Sequence, residues 1–400
     1  MSILNVSDKV QFDNSLVRIQ YHNHLPYSSN SFNNSDEIRI AIQQQDVYTL
    51  PSQSFIYVQE KLLKDDGTVD KDSKLSANPI AHMFSEVRFE CGGNVIDRVR
   101  NPGIASTLKN LCSLTRSEYY HASNAGFEYP NVKVNENTGD FDFCVPLKYF
   151  LGFAEDYNKI MINLRQELVL VRSNSDKNVI ESLLPNVTIT INKIVWKVPH
   201  VSVADVERLK LLEYIEQGIE LDMGFRSFDL HEYPSLPKNR QHTWTIKTST
   251  QLEKPRYFIL GFQINRKDNP LRSASQFDHC NLTDMKVFLN SEKYPYEALN
   301  LNFKTGQIAV LYEMYCNFAK TYYDRELAEP MFNRDTFLAH TPIIVIDCSR
   351  QNDILNVGTV DIRIEFETSE EIPNATSLYC LILHDRVFKY VPLTGMINQI

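Results

Sequence analysis

Nowhere in the 400-residue chain do about 18 apolar residues follow one another, so no segment reads as a membrane-spanning helix. Met1 to Asn14 is mixed and polar, unlike a secretory leader, and the expectation is a protein made and kept in a reducing compartment. Cysteine usage agrees. The seven residues Cys91, Cys112, Cys144, Cys280, Cys316, Cys348 and Cys380 are odd in number and form no close pairs, which reads as buried free thiols rather than a disulfide framework. Positive charge is outnumbered, with 41 Lys and Arg against 50 Asp and Glu. A net charge of −9 argues against a general nucleic-acid binder, because phosphate binding rests on clustered Lys and Arg.

Chemical motifs are equally thin. His22-Asn23-His24 has the two-histidine spacing of a cupin metal site, but no strand pattern and no suitably spaced downstream carboxylate accompany it. Asp278-His279-Cys280 sets a thiol beside a base, yet neighbours on a strand face opposite sides, so a core thiol next to a polar histidine is the better reading. The acidic stretch from Asp65 to Asp72 fails the EF-hand spacing and reads as a solvated hairpin loop. Gly92-Gly93 lacks a following Lys-Ser/Thr and reads as a tight turn. Sequons at Asn186, Asn281 and Asn374 matter only for a secreted chain. No metal triad or paired carboxylates stand out. The expectation is therefore no enzyme, no catalytic, cofactor-binding or metal residues, and no cofactor.

What is present is one strand-rich plan written twice. Pro51 leads into Phe55-Ile56-Tyr57-Val58-Gln59, and Pro255 leads into Tyr257-Phe258-Ile259-Leu260. Val87-Arg88-Phe89-Glu90 before Gly92-Gly93 parallels Lys286-Val287-Phe288-Leu289 before Asn290-Ser291. Helical apolar spacing then ends in Tyr119-Tyr120 in one half and Tyr322-Tyr323 in the other. Phe141 to Pro146 parallels Pro342 to Cys348, and Lys193 to Pro199 parallels Arg386 to Pro392. This shared order is the signature of an internal repeat.

Between the copies, Ser202 is placed to cap a helix with Asp205 three residues on; Val206, Leu209, Leu212 and Ile215 give it one apolar face, and Gly218 ends it. The fold class expected is all-β: two tandem eight-stranded jelly-roll sandwiches with short helical insertions and a helical connector. The divisions expected are an N-terminal arm at 1–36, a first roll at 37–200, the connector at 201–218 and a second roll at 219–400.

Several runs carry a resemblance. Phe143-Cys144-Val145-Pro146-Leu147, Phe150-Leu151-Gly152-Phe153-Ala154-Glu155-Asp156-Tyr157 and Asn163-Leu164-Arg165-Gln166-Glu167-Leu168 are followed by Gly224-Phe225-Arg226, Glu253-Lys254-Pro255-Arg256-Tyr257, Phe277-Asp278-His279-Cys280 and His384-Asp385-Arg386. Their order and spacing resemble the double jelly-roll major capsid proteins of the Polinton (Maverick) and adintovirus type, within the adenovirus-like capsid lineage. The resemblance implies a homotrimer of pseudo-sixfold outline that tiles an icosahedral shell in a virion. It also implies penton and minor capsid proteins as further partners, with no specific nucleic-acid recognition and no membrane span. A carbohydrate-binding or other ligand-binding jelly-roll module without catalysis is the alternative.

Overall fold

In the computed structural model, which describes residues 15–28, 31–42, 47–64, 66–183, 187–246, 255–327, 329–350 and 360–400, apolar alternation becomes sheet wherever one face is covered. Asp65, Asn186, Glu253 and Lys254, named above, lie outside the described residues. The first half contains eight main strands: β1 (Leu16–His24), β2 (Glu37–Ile42), β3 (Phe55–Lys64), β4 (Phe84–Cys91), β5 (Asn94–Arg100), β6 (Asp140–Pro146), β7 (Gln166–Arg172) and β8 (Val187–Val203). The second half repeats the count: β9 (Leu221–Tyr233), β10 (Gln241–Ile246), β11 (Pro255–Ile264), β12 (Leu282–Leu289), β13 (Glu292–Tyr294), β14 (Ile344–Asp347), β15 (Ile362–Thr368) and β16 (Thr376–Val391).

Sheet order makes the repeat explicit. In the first half the two sheets run β1-β8-β3-β6 and β2-β7-β4-β5; in the second they run β9-β16-β11-β14 and β10-β15-β12-β13. Adding eight to each strand of the first half gives the second. All the main ladders are antiparallel. Each half is thus an eight-stranded sandwich of jelly-roll connectivity, and the landmark pairs read from sequence fall on equivalent strands.

Local sequence explains the individual strands. On β3, Ile56, Val58 and Leu62 face the sandwich interior and are buried, while Gln59 points to solvent. Gly92 and Gly93 join β4 to β5 with positive φ values of 55° and 87°, a turn that side-chain-bearing residues resist. Trp196 on β8 is fully buried, and its indole donates to the Ser54 hydroxyl at 3.1 Å. None of the seven cysteines is in a disulfide; six are buried and Cys144 is partly so.

Seven α-helices are present among the described residues: α1 (Pro79–His82), α2 (Pro102–Ser113), α3 (Arg116–Ala122), α4 (Gly152–Asp156), α5 (Asp205–Glu216), α6 (Ala309–Tyr323) and α7 (Arg334–His340). The single helical stretch expected before Tyr119-Tyr120 is two helices. Leu114 is extended, and Thr115 restarts the chain with a capping box to Glu118. α2 lies against β4 and β5 of its own half and against β9, β11 and β16 of the other. Every one of its twelve residues is buried.

Two expectations need correction. The segment placed in an arm at 1–36 contains β1, which pairs with β8 from Leu16 against Val203 to His24 against Trp196. It occupies in the first sandwich the position that β9 occupies in the second, so a boundary at residue 36 separates this strand from its own sheet. Ser202 is not a helix cap either. It belongs to β8; the N-cap of α5 is Ala204, with no side-chain capping bond, and the expected apolar face of α5 is unburied. Gly218 does follow the helix, with φ of 62°.

Candidate functional site

The two sandwiches meet along a polar seam built around α2, α4 and β9. Asp156 at the end of α4 takes the Arg226 guanidinium in a two-point grip, at 2.6 Å to Oδ1 and 2.8 Å to Oδ2, and also accepts the Arg226 backbone N–H at 2.8 Å. The same guanidinium lies 3.6 Å from the centre of the Tyr322 ring. Beside it, Lys109 of α2 donates to Glu155 and to the Tyr323 hydroxyl, and Tyr323 donates to Glu155 at 2.5 Å. Burial, with Glu155 nearby, pushes the Tyr323 phenol well above its ordinary range, so it stays a donor. Asp97 of β5, fully buried, accepts from the Phe153 N–H at 3.0 Å and from the Ser227 hydroxyl at 2.7 Å. Burial raises its pKa, opposed by Arg386 and these hydrogen bonds.

A second contact sits at α1. The Ser275 hydroxyl donates to the Ala77 carbonyl, so its bond to His82 Nε2 at 2.9 Å is donated by the imidazole. Burial lowers the His82 pKa to about 4 and keeps the ring neutral. Gly103 makes room for it: a Cβ there would lie 2.2 Å from His82 Nδ1. On the far side, Asn163 Nδ2 donates to the Pro392 carbonyl at 3.0 Å, and the Tyr390 hydroxyl donates to the Asn163 carbonyl at 3.1 Å. Charged groups drawn out of water persist when paired: the Asp156–Arg226 pair spans the two halves, while the Lys109–Glu155 pair lies within the first half and reaches the second through Tyr323. Replacing Arg226 with lysine removes the two-point grip and the ring contact, and should cost about 1–3 kcal/mol. Urea unfolding of R226K, D156N and the double variant checks this, the double variant costing less than the sum.

Two concavities of the outer surface bear on function. One, of about 690 Å³, lies between β1, the end of β8 and α5; the other, of about 800 Å³, lies between α3 and α7 and is lined by Tyr119, Tyr120, Tyr129, Tyr312 and Phe332. Apolar side chains also stand in solvent on β1 (Val17, Ile19, Tyr21) and α5 (Val206, Leu209, Leu212).

Residues 73–388, most of the chain, match the family model described as "Double jelly roll-like domain". The chain belongs to that family. Solved structures similar to this double jelly roll-like protein include the PBCV-1 virus capsid (12% identity, 98% of each chain covered, TM-score 0.60). The Faustovirus major capsid protein is also similar (10% identity, 97% of this chain and 92% of that one, TM-score 0.57). So is the mavirus major capsid protein (11% identity, 100% and 93%, TM-score 0.53). At these identities the likeness is one of fold. No curated protein matches the sequence.

Several residues that carry the sequence resemblance, Glu155, Asp156 and Arg226, meet at the seam of this double jelly roll. Their pairing was not readable beforehand, because about seventy positions separate them along the chain; the only signal was charge set among aromatics. The chemical constellations weighed in the sequence fall apart or change character. Asp278 is held by Arg266 at 2.8 Å, His279 stacks on Phe303, and the Cys280 thiol is pushed well up by burial. Asp66 is tied to Thr68, and Asp70, buried rather than solvated, to Ser73; the strand that follows, Lys74–Ser76, does not pair with β3, so the stretch is not the hairpin loop expected. His22 and His24, for which no strand was expected, do lie on one, β1, and share a face with His200 of β8. His22 and His200 stack at 4.1 Å, and His24 Nε2 is 3.2 Å from His200 Nε2. Among the described residues, no group of three His, Cys, Asp or Glu side chains is arranged to hold a metal ion, and no helix is long and apolar enough to cross a membrane.

Proposed function

We propose that this chain is a structural, non-enzymatic major capsid protein of a virus or virus-like mobile element of the Polinton and adintovirus type. Three copies form a capsomer of pseudo-hexagonal outline, capsomers tile an icosahedral shell, and penton and minor capsid proteins complete the virion. The observation that carries the reading is the seam. Two sandwiches of identical topology are locked by paired buried groups into one body, so a trimer presents six similar sandwiches around one axis. Structures of capsid proteins similar over nearly their whole length support it. The units are a first roll from β1 to the end of β8 at Val203, a connector that holds α5 and ends at Gly218, and a second roll at 219–400.

Assembly of this kind works by burying surface, more than about 2,000 Å² for an obligate interface, and aromatic side chains supply such area efficiently. Light scattering and electron microscopy of the purified protein test the reading: trimers with hexagonal outline or closed particles are expected. Monomer alone at micromolar concentration, across salt and pH, overturns it.

The connector helix belongs to the assembly surface on this reading, since none of its residues is buried in the chain itself. V206E/L209E should leave the melting temperature nearly unchanged, as exposed substitutions shift stability by about 0.5 kcal/mol or less, while weakening the oligomer. An oligomer of unchanged stability on dilution removes α5 from the interface. The glycan-binding alternative has one observation in its favour, the tyrosine-lined groove between α3 and α7. Saturable sugar binding by monomers that never assemble favours that reading.

A further inference from the structure

The cavity between β1, the end of β8 and α5 has an unusual lining for this chain. Arg18 of β1, Arg208 of α5, His22 and His200 all line it, with Gln20 and Ser202 adding neutral polar groups. Among the described residues no Asp or Glu lines it, although the chain carries 50 acidic residues against 41 Lys and Arg. The acidic residues of α5 (Asp205, Glu207, Glu213 and Glu216) lie outside the lining, and Glu207 is engaged by Lys210 at 2.7 Å. Among the described residues neither Arg18 nor Arg208 forms an ion pair, while most arginines of the sheets and the seam do. Two guanidiniums without an ion-pair partner, facing one space that no carboxylate of the described residues lines, mark a place where a counter-charge fits.

We propose that this cavity binds a small phosphate-class polyanion, held by Arg18 from β1 and Arg208 from α5 with His22 and His200 lining the same space. A volume of about 690 Å³ suits a compact ligand of this kind. The ligand would join the two elements that the core grips least: β1, exposed along nearly its whole length, and α5, with no buried residue. Such a bond adds stability by mass action, because the anion binds the docked state only.

Binding also responds to pH. The titratable and charged groups facing the cavity are Arg18 and His22 from β1, Tyr48, His200 from β8 and Arg208 from α5, with His24 in contact with His200. Burial, then His22 and His24, lowers the His200 pKa to about 4, so without a ligand His200 is uncharged at neutral pH. An anion offsets that penalty, and affinity rises as pH falls.

Calorimetric titration of the purified wild-type protein with inorganic pyrophosphate, at fixed ionic strength and pH 6.5, tests the site. The expected result is saturable binding at one site per chain, at least tenfold weaker in R18Q/R208Q, with an unliganded melting temperature equal to wild type. Sulfate, whose charge is constant from pH 6 to 8, isolates the histidines, and it should bind several-fold tighter at pH 6. Three results overturn the proposal: no saturable binding beyond a sodium chloride control, equal affinity in the double variant, or binding only to anionic phospholipid vesicles and not to free pyrophosphate. None depends on whether the protein forms capsomers, so this proposal and the capsid reading fail separately.

Discussion

Alanine at Gly152 is expected to break the seam between the two sandwiches. Gly152 opens α4 with its α-carbon against β9; a Cβ built there lies 1.7 Å from the Arg226 carbonyl oxygen and 2.8 Å from the carbonyl carbon. The obstacle is backbone, so no side-chain rotation relieves it. Either α4 or β9 must shift, and α4 carries both the Phe153 N–H bound to Asp97 and the carboxylate that holds Arg226. One added methyl group therefore strikes several buried polar contacts together, and the cost falls at the top of the range for single substitutions, about 4–5 kcal/mol or more. G224A is the control, because nothing lies within 4 Å of a Cβ at Gly224 on the same strand. Soluble yield and calorimetric melting of the two variants decide the matter. A melting temperature for G152A within about 2 °C of wild type would show that the seam tolerates the shift.

Methionine at Glu60 is expected to do the opposite and stabilise the protein, increasingly so as pH rises. Glu60 sits on β3 in the row of Ile56, Val58 and Leu62, fully buried, and neither carboxyl oxygen has a hydrogen-bond partner among the described residues. Burial, only partly offset by Arg172, raises its pKa from 4.5 to about 8. The folded state thus binds the proton more tightly than the unfolded state. Its stability contribution is complete below about pH 4.5 and is lost as pH climbs toward 8, at about 1.4 kcal/mol per unit. The penalty in full is of the order of 5 kcal/mol. Urea unfolding of wild type and E60M at pH 5, 6.5 and 8 should show a gap that widens with pH; a constant gap sinks the account. His82 acts at the other end of the scale. Its depressed pKa means stability is lost as pH falls from about 6.5 through 4, so the two buried groups squeeze the stable range from both sides.

How much of this was legible in the sequence depended on whether burial left a periodic trace. The landmark strands β3, β4, β11 and β12 have apolar alternation or unbroken apolar runs, and their repeat led directly to the paired architecture. β1 escaped although Val17, Ile19 and Tyr21 do alternate with Arg18, Gln20 and His22; the run is short, follows a polar stretch and covers no buried face. α5 misled in the reverse sense, since apolar residues at helical spacing imply a covered face and the chain covers none of it. Glu60 left no signal, one carboxylate in an otherwise apolar row. The seam was invisible as chemistry because its pairs, Asp97 with Ser227, Lys109 with Tyr323 and Asp156 with Arg226, join distant positions that no local pattern connects.

The burial of all twelve residues of α2 has a consequence for how the chain is made. As the first half leaves the ribosome, one flank of α2 can dock on β4 and β5, but β9, β11 and β16, which cover the other flank, have not yet been synthesised. Until they arrive, Ile104, Leu108 and Leu111 sit on a helix with half its coat missing, a surface on which nascent chains stick to one another or to chaperones. The amino-terminal sandwich produced alone should therefore aggregate, and co-expression of the carboxy-terminal sandwich as a separate polypeptide should rescue it. Duplication gave this chain two copies of one plan, and the shared helix has made the first copy's maturation wait for the second.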